Sequence, residues 1–201
     1  MKTNIFFDFD GTLVDASDRL YNLFINLIPE CNFTKDEYWN LKRNKINHQD
    51  IIKKYFPSYD YEKFNKNWLD LIESDEYLLY DKLYPDAVEL LQNLSKNNCL
   101  YLVTARQSKN KLISELERFG ILKYFTEVLV TEQKYTKKEL IKPYLSGEDL
   151  MIGDTGKDIN TGKELGMNTV AVTYGFLSES ALQKYNPDKI ISNLYEVVNY
   201  G

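Results

Sequence analysis

From Tyr84 onward the chain alternates between short apolar runs of strand length and amphipathic stretches of helical length. The runs are 99–103, 127–131, 149–152, 168–172 and a weaker 189–191, each bounded by polar residues. Between them, residues 87–94 place apolar side chains at 87, 88, 90, 91 and 94, with Pro85 near the first turn, where a missing N–H costs nothing. Residues 111–119 carry Leu112, Ile113, Leu116 and Phe119 on one face and stop at Gly120, as a helix with a left-handed C-terminal residue would. Such an alternation predicts an α/β, Rossmann-like parallel sheet with helices on both faces. The run 4–9 supplies one more strand, far upstream of the rest.

Residues 16–83 break the pattern. They show helical periodicity and many aromatics but no convincing strand, and Thr34-Lys35-Asp36-Glu37 is a capping-box sequence that opens one of their helices. The expected organisation is therefore a core domain of residues 1–15 and 84–201, with a helical domain of residues 16–83 inserted after the first strand. The insert's aromatics, Tyr38, Trp39, Tyr55, Phe56, Tyr61, Phe64 and Trp68, are expected to form its own core.

Length and charge restrict the function. A chain of 201 residues falls near the upper end of the ~100–200 residues usual for one domain, which leaves room for an insertion. The formal net charge of -5 sets the overall field against polyanions, so no nucleic-acid partner is expected and an anionic substrate would need a locally basic site. Cys31 and Cys99 lack metal-ligand spacing and suggest no disulfide framework; no apolar run approaches ~18 residues, and the N-terminus is no signal peptide. A cytoplasmic protein without a membrane partner, monomer or homodimer, is expected. His48 is the only histidine, which excludes mechanisms that need several.

Three predicted strands end in a reactive polar residue: the first runs into Asp8, the next into Thr104, and the 149–152 run through Gly153 into Asp154. In a parallel sheet these ends share one edge, where ligands of open α/β sheets bind. Asp8-Phe9-Asp10-Gly11-Thr12 sets two carboxylates two residues apart, a pairing that suits a nucleophile beside a general acid/base. Acids clustered this closely repel one another and any anionic substrate unless a cation sits among them; Asp8, Asp154 and Asp158 are the hard oxygen ligands that Mg²⁺ selects.

With these residues in view, the sequence resembles the haloacid dehalogenase superfamily, in its phosphoglycolate phosphatase and β-phosphoglucomutase-like branch with an inserted helical cap. The resemblance rests on Asp8-Phe9-Asp10-Gly11-Thr12-Leu13-Val14, on Thr104 within Leu102-Val103-Thr104-Ala105-Arg106, and on Gly153-Asp154-Thr155-Gly156-Lys157-Asp158-Ile159. It implies an Mg²⁺-dependent phosphatase acting on a small phosphorylated metabolite through a phosphoaspartyl intermediate. Asp8 would be the nucleophile, and Asp10 would protonate the leaving group and then activate water. Thr104 and the following Ala105 would bind the phosphoryl group. Asp154 would hold the metal with Asp8 and the Asp10 carbonyl, and Asp158 would support it, directly or through water.

The motif lysine has several candidates. Lys134, Lys137, Lys138 and Lys142 all stand between the strands ending near 131 and beginning near 149. Thr136-Lys137-Lys138-Glu139 fits a capping box, which puts Lys137 and Lys138 in a first helical turn, where cations oppose the helix dipole unless an anion binds there. Lys137 is preferred; Lys138 and Lys134 stay open. Arg106 could reach a phosphate oxygen or be a surface arginine. In the insert, Lys42, Arg43, Lys45, His48, Lys53 and Lys54 form a basic stretch that reads first as a solvated face; if the insert closes over the crevice, Lys42, Arg43 or His48 would meet the leaving group. A phosphomutase shares both aspartates and is the second reading. A non-catalytic phospho-accepting receiver domain is the third, although it would carry no acid pair after its lysine.

Overall fold

The computed structural model describes residues 2–200, and it divides them into two compact units, residues 2–15 with 83–200 and residues 16–82. In chain order the first unit contributes β1 (Asn4–Phe7) and a two-residue β2 (Val14–Asp15). The second unit holds α1 (Ser17–Leu27), α2 (Lys35–Arg43), α3 (His48–Tyr55), α4 (Tyr61–Leu71) and α5 (Asp75–Leu78). After β3 (Lys82–Leu83) come α6 (Ala87–Leu94), β4 (Cys99–Thr104), α7 (Lys109–Arg118), β5 (Glu127–Val130), α8 (Lys137–Ile141), β6 (Asp149–Gly153), α9 (Gly156–Glu164), β7 (Asn168–Val172), α10 (Glu179–Gln183) and β8 (Lys189–Ile191).

Six strands form one sheet in the order β5-β4-β1-β6-β7-β8, all parallel. The α/β, Rossmann-like architecture expected from the alternation is the one observed. Its strands are buried on both sides, and the pleat decides which residue faces which layer. Ile5 and Phe7 point to the same side as Leu100, Leu102, Leu150, Ile152, Val170 and Val172, where Leu90, Leu91 and Leu94 of α6 and Leu112 and Leu116 of α7 pack. Phe6 points the other way, with Tyr101, Val103, Met151 and Ile141 of α8. Each such fully buried side chain contributes roughly 1.5–3 kcal/mol of transfer free energy. An apolar run without alternation, such as Ile5-Phe6-Phe7, is thus required for a strand with helices on both faces.

The chain order in the sheet creates the crevice. From β1 the core strands go outward through β4 to β5, then return to the other side of β1 and go outward through β6 to β8. Ligand sites of open sheets lie where that direction reverses, beyond the carboxyl ends of β1, β4 and β6.

Two details differ from the sequence-based reading. Leu83 belongs with the sheet unit rather than the insert, and Lys82–Leu83 is a strand in a segment expected to have none. Its partner is β2, and two residues are too few to leave a periodic signal. The insert closes on itself around Leu23, Phe24, Ile28, Tyr38, Ile51, Ile52, Phe64 and Trp68. Thr34 caps α2 in the expected box, its side chain accepting from the Glu37 N–H while the Glu37 carboxylate accepts from the Thr34 N–H.

Candidate active site

Beyond β1 the backbone of Asp8 continues the sheet for one residue, donating its N–H to the Ile152 carbonyl at 2.9 Å. Phe7 is level with Leu102 and with Ile152, so Asp8 projects from the edge beside the end of β4, which carries Thr104, and the end of β6, which leads into Asp154. Gly11 then takes a left-handed backbone (φ +84°), and a side chain there would collide with the Asp154 carboxylate. Gly175 approaches the same carboxylate from the opposite loop, again with no room for a Cβ. Only glycine lets backbone come this close to a buried acid.

One ligand oxygen from each of Asp8, Asp154 and Asp158 lies within 4.8 Å of the others, and all three residues are buried. Asp158 sits in the first turn of α9, where its carboxylate accepts from the Thr155 N–H and hydroxyl. This capping arrangement fixes its direction and complements the helix dipole. Asp154 Oδ2 accepts the N–H of Phe176, whereas Asp154 Oδ1 is buried without a hydrogen-bond partner. A buried carboxylate oxygen left this way is costly unless a cation completes it. Three hard oxygen donors and one orphaned acceptor fit a divalent metal of the Mg²⁺ type.

Lys137 is the cation that the protein itself supplies. Its Nζ lies 2.5 Å from Asp8 Oδ1 and 2.6 Å from Asp158 Oδ1. Two consecutive non-glycine residues in left-handed conformation, Glu132 and Gln133, turn the chain after β5, and Thr136 then caps α8 with Lys137 as its first residue. Each such residue costs roughly 1–3 kcal/mol, so the tertiary structure holds this turn against local preference. Lys138 instead pairs with the exposed Glu164, and Lys134 reaches only Glu132 at 3.8 Å.

The electrostatics follow from burial. Asp8 is pushed up to about 7, first by loss of solvent and then by Asp158 and Asp10, against the lowering effect of Lys137. Burial, Asp8 and Asp158 raise Asp154 well above the usual carboxylate range. For Lys137 burial pulls downward, but Asp158 and Asp8 outweigh it and hold the ammonium above its usual range. The cluster has more negative charge than Lys137 balances, as expected of a site built around a further cation.

Other residues singled out from the sequence have varied placements. Thr104 is buried at the end of β4, and Ala105 is exposed just beyond it. Arg106 is not a surface arginine; its guanidinium is paired with two carboxylates of the protein. It is 4% exposed, its Nε and Nη2 donate to Asp10 Oδ2 and Oδ1 at 2.6 and 2.8 Å, and its Nη1 lies 3.2 Å from Glu115 Oε2. The reason is local: α7 carries Glu115 on its buried face beneath the loop, so the guanidinium is drawn inward. Glu115 escaped the sequence reading, although an acid beside Leu112 and Leu116 in an apolar stripe was a signal for it. The Gly175-Phe176 contribution to Asp154 lies in a loop with no motif to announce it.

In the insert, Lys42 and Arg43 close the last turn of α2, where cations suit the helix dipole. Burial lowers Lys42 to about 8. His48, expected as a polar contact for substrate, is instead taken up by the insert's own core. Its Nε2 is 2.8 Å from the Tyr38 hydroxyl, its ring lies 4.2 Å from that of Trp68 and 5.5 Å from that of Phe24, and burial followed by the Lys42 charge holds it well below its usual value. Loss of solvent and the Lys42 charge both favour the neutral ring.

The sequence profile of the haloacid dehalogenase-like hydrolases matches residues 5–172, and the chain belongs to that family. Among particular proteins, it is 22% identical over 205 residues to the pyrophosphatase PpaX of Oceanobacillus iheyensis, a match covering 96% of this chain and 94% of that protein. A phosphoglycolate phosphatase of Vibrio parahaemolyticus is 32% identical over 127 residues, covering 58% of this chain and 55% of its own. A haloacid dehalogenase-like family hydrolase from Streptococcus pneumoniae has the same fold, with a TM-score of 0.79, 24% identity and coverage of 99% and 98% of the two chains. Membership sets aside the receiver-domain reading and makes the chain an enzyme, a hydrolase of the phosphatase-rich kind its relatives represent. Among the described residues, no helix is long and apolar enough to cross a membrane.

Proposed function

We propose that this protein is an Mg²⁺-dependent phosphatase that hydrolyses a small phosphorylated metabolite through a phosphoaspartyl intermediate at Asp8. The observation that carries this reading is the buried Asp8–Asp154–Asp158 cluster with Lys137 across two of its members, at the carboxyl edge of the sheet. The names of the relatives support it: both act on phosphate compounds.

In this mechanism an Asp8 carboxylate oxygen attacks phosphorus and the ester P–O bond breaks. Asp10 gives its proton to the departing oxygen. Water then attacks phosphorus, passing a proton to Asp10; the acyl phosphate P–O bond breaks, and Asp8 and inorganic phosphate are released. Thr104 and Lys137 hold the phosphoryl oxygens, and Ala105 presents backbone to them. Lys137 also turns the Asp8 carboxylate by its contact with Oδ1. Asp8, Asp154, Asp158 and the Asp10 carbonyl would hold the metal, Asp158 directly or through water. When bound, Mg²⁺ supplies charge neutralisation that lets an anionic substrate approach these acids.

The test is phosphate release from a panel of phosphorylated metabolites with Mg²⁺, followed for isomerised product as well. Release that stops on chelation, returns with Mg²⁺ and is absent in Asp8→Asn supports the reading. Full activity in excess chelator after dialysis, or an Asp8→Asn variant with a tenth or more of wild-type turnover, refutes it.

A further inference from the structure

Arg106, Asp10 and Glu115 form a buried chain of charges whose purpose the steps above leave unassigned. The guanidinium side chain is 3% exposed and that of Glu115 is 2% exposed, whereas Asp10 keeps 20% of its side chain open. Both Asp10 oxygens accept from one planar fork, and Arg118 steadies the far end by donating to Glu115 Oε1 at 3.4 Å. Phe9 lies against the guanidinium, 5.4 Å from ring centroid to Cζ. An arginine held by two hydrogen bonds at Asp10 and by an ion pair at Glu115 is restricted in rotation, and it passes that restriction to the one carboxylate of the three residues that reaches solvent.

We propose that Arg106 is a positioning residue for Asp10, anchored from behind by Glu115, and that it fixes the direction from which Asp10 meets the leaving-group oxygen. This rests on the reading of Asp10 as the acid/base. An ionised carboxylate offers about four lone-pair sites, and a bidentate arginine occupies two of them, one on each oxygen. The remaining two keep a single orientation, set by the plane of the fork. Without the clamp, the Asp10 side chain rotates about Cα–Cβ and Cβ–Cγ, and proton transfer depends on chance alignment. The arrangement also accounts for the inward course of Arg106: a phosphate-binding arginine at this place would turn its fork to the crevice, whereas this one turns it to Asp10 and Glu115.

A positioning role is separable from a structural one by the leaving group. 4-Nitrophenolate departs without a proton, whereas the alkoxide of an alkyl phosphate monoester needs one, so only the second depends on Asp10 during bond cleavage. The measurement is kcat/KM, which reports the steps through formation of the phosphoaspartyl group, for both esters with saturating Mg²⁺. Arg106→Lys keeps the charge but loses the fork. Its kcat/KM for the alkyl ester should fall about 30- to 100-fold, and for the nitrophenyl ester about 3-fold. Methylguanidinium should restore part of the alkyl-ester activity to Arg106→Ala. Glu115→Gln, which leaves the fork on Asp10 and weakens its anchor, should show the same selectivity at about 5-fold and covers the case in which the arginine variants fail to fold.

Equal losses on both esters would overturn the proposal in favour of a structural role, and a KM rise on both would overturn it in favour of phosphoryl binding. Undiminished alkyl-ester activity in Arg106→Lys would overturn it outright. If the wild type releases phosphate from neither ester, the phosphatase reading itself falls and the clamp falls with it; that outcome is distinct from the others because it involves no variant.

Discussion

At the carboxyl edge of the sheet, Asp8, Asp154 and Asp158 are buried as a group of acids with Lys137 between two of them, whereas in the insert His48 is half-buried, its ring set against those of Tyr38, Phe24 and Trp68. Both regions remove ionisable side chains from water, but they deal with the cost differently. The sheet edge retains charge and leaves it underbalanced, which stores binding energy for a cation and an anionic ligand. The insert suppresses charge and gains packing, as a region does whose polar residues serve its own fold. Chemistry is therefore expected to fail when charges at the edge are altered, and stability when the insert's rings are altered.

The largest expected effect is that of Asp8→Asn. Turnover should fall by about 10⁴-fold or more, because the nucleophile is lost and an amide cannot replace it. Stability of the metal-free protein should move the other way. Asp8 ionises against burial and neighbouring acids, so its replacement by a neutral amide should raise the metal-free melting temperature at pH 8. A variant that loses both activity and stability would show that Asp8 is a structural residue.

Lys137→Ala should lower kcat by roughly 10²–10³-fold, comparable to deleting one preorganised donor at a transition state. Lys138→Ala should leave kinetics unchanged, since the exposed pair with Glu164 is worth ~0–1 kcal/mol. Steady-state assays of the two variants decide the matter, and equal losses would erase the distinction drawn between adjacent lysines.

In the insert, Phe24→Ala should cost about 3–5 kcal/mol, the usual penalty for emptying a buried aromatic position. Trp39 and Trp68 are the molecule's two tryptophans and both lie in this unit, so their fluorescence follows its unfolding selectively. Urea titration read by fluorescence should show the loss, while calorimetric Mg²⁺ affinity stays within about 3-fold of wild type. A tenfold fall in affinity would mean that the two regions are not independent.

The two regions also differed in what could be read from sequence. The sheet was legible because strands buried on both faces must be continuously apolar, and Ile5-Phe6-Phe7 and Leu150-Met151-Ile152 have no other use in a chain without membrane-length runs. Asp8, Thr104 and Asp154 could be placed at one edge because parallel topology aligns strand ends. The Thr136 capping box put Lys137 and Lys138 alike in a first helical turn, and Lys137 was preferred because the run from it to Leu140-Ile141 resembles the family's; only the turn at Glu132 and Gln133 explains why it reaches Asp8. Arg106 was read as a phosphate contact or a surface arginine, and its pairing with Asp10 and Glu115 was not legible, because pairing between charges on separate elements leaves no periodic trace. His48 was read as a member of a basic run; the rings around it come from α1, α2 and α4, which a linear charge count does not bring together.

The smallest effect separates the regions by pH. Asp8 in the metal-free protein titrates near 7, above its ordinary 3.8, so the folded state binds a proton more tightly than the unfolded chain does. Its contribution therefore favours the folded state more as pH falls from about 7 toward 4. His48 has the opposite sign. Held well below 6.5 by burial and by Lys42, it stays neutral in the folded insert while the unfolded chain takes up a proton below 6.5. The insert thus keeps this contribution above pH 6.5 and loses up to about 1.4 kcal/mol per pH unit below it. Metal-free urea titrations at pH 7.5 and 5.5 should show the fluorescence-detected midpoint falling at the lower pH. In His48→Gln, which retains a hydrogen-bonding group for Tyr38 but cannot titrate, that fall should be reduced by the His48 share. A midpoint shift of the same size in His48→Gln would remove His48 as its source, and a rise in the wild type would mean that the acids of the sheet edge govern the stability of both units.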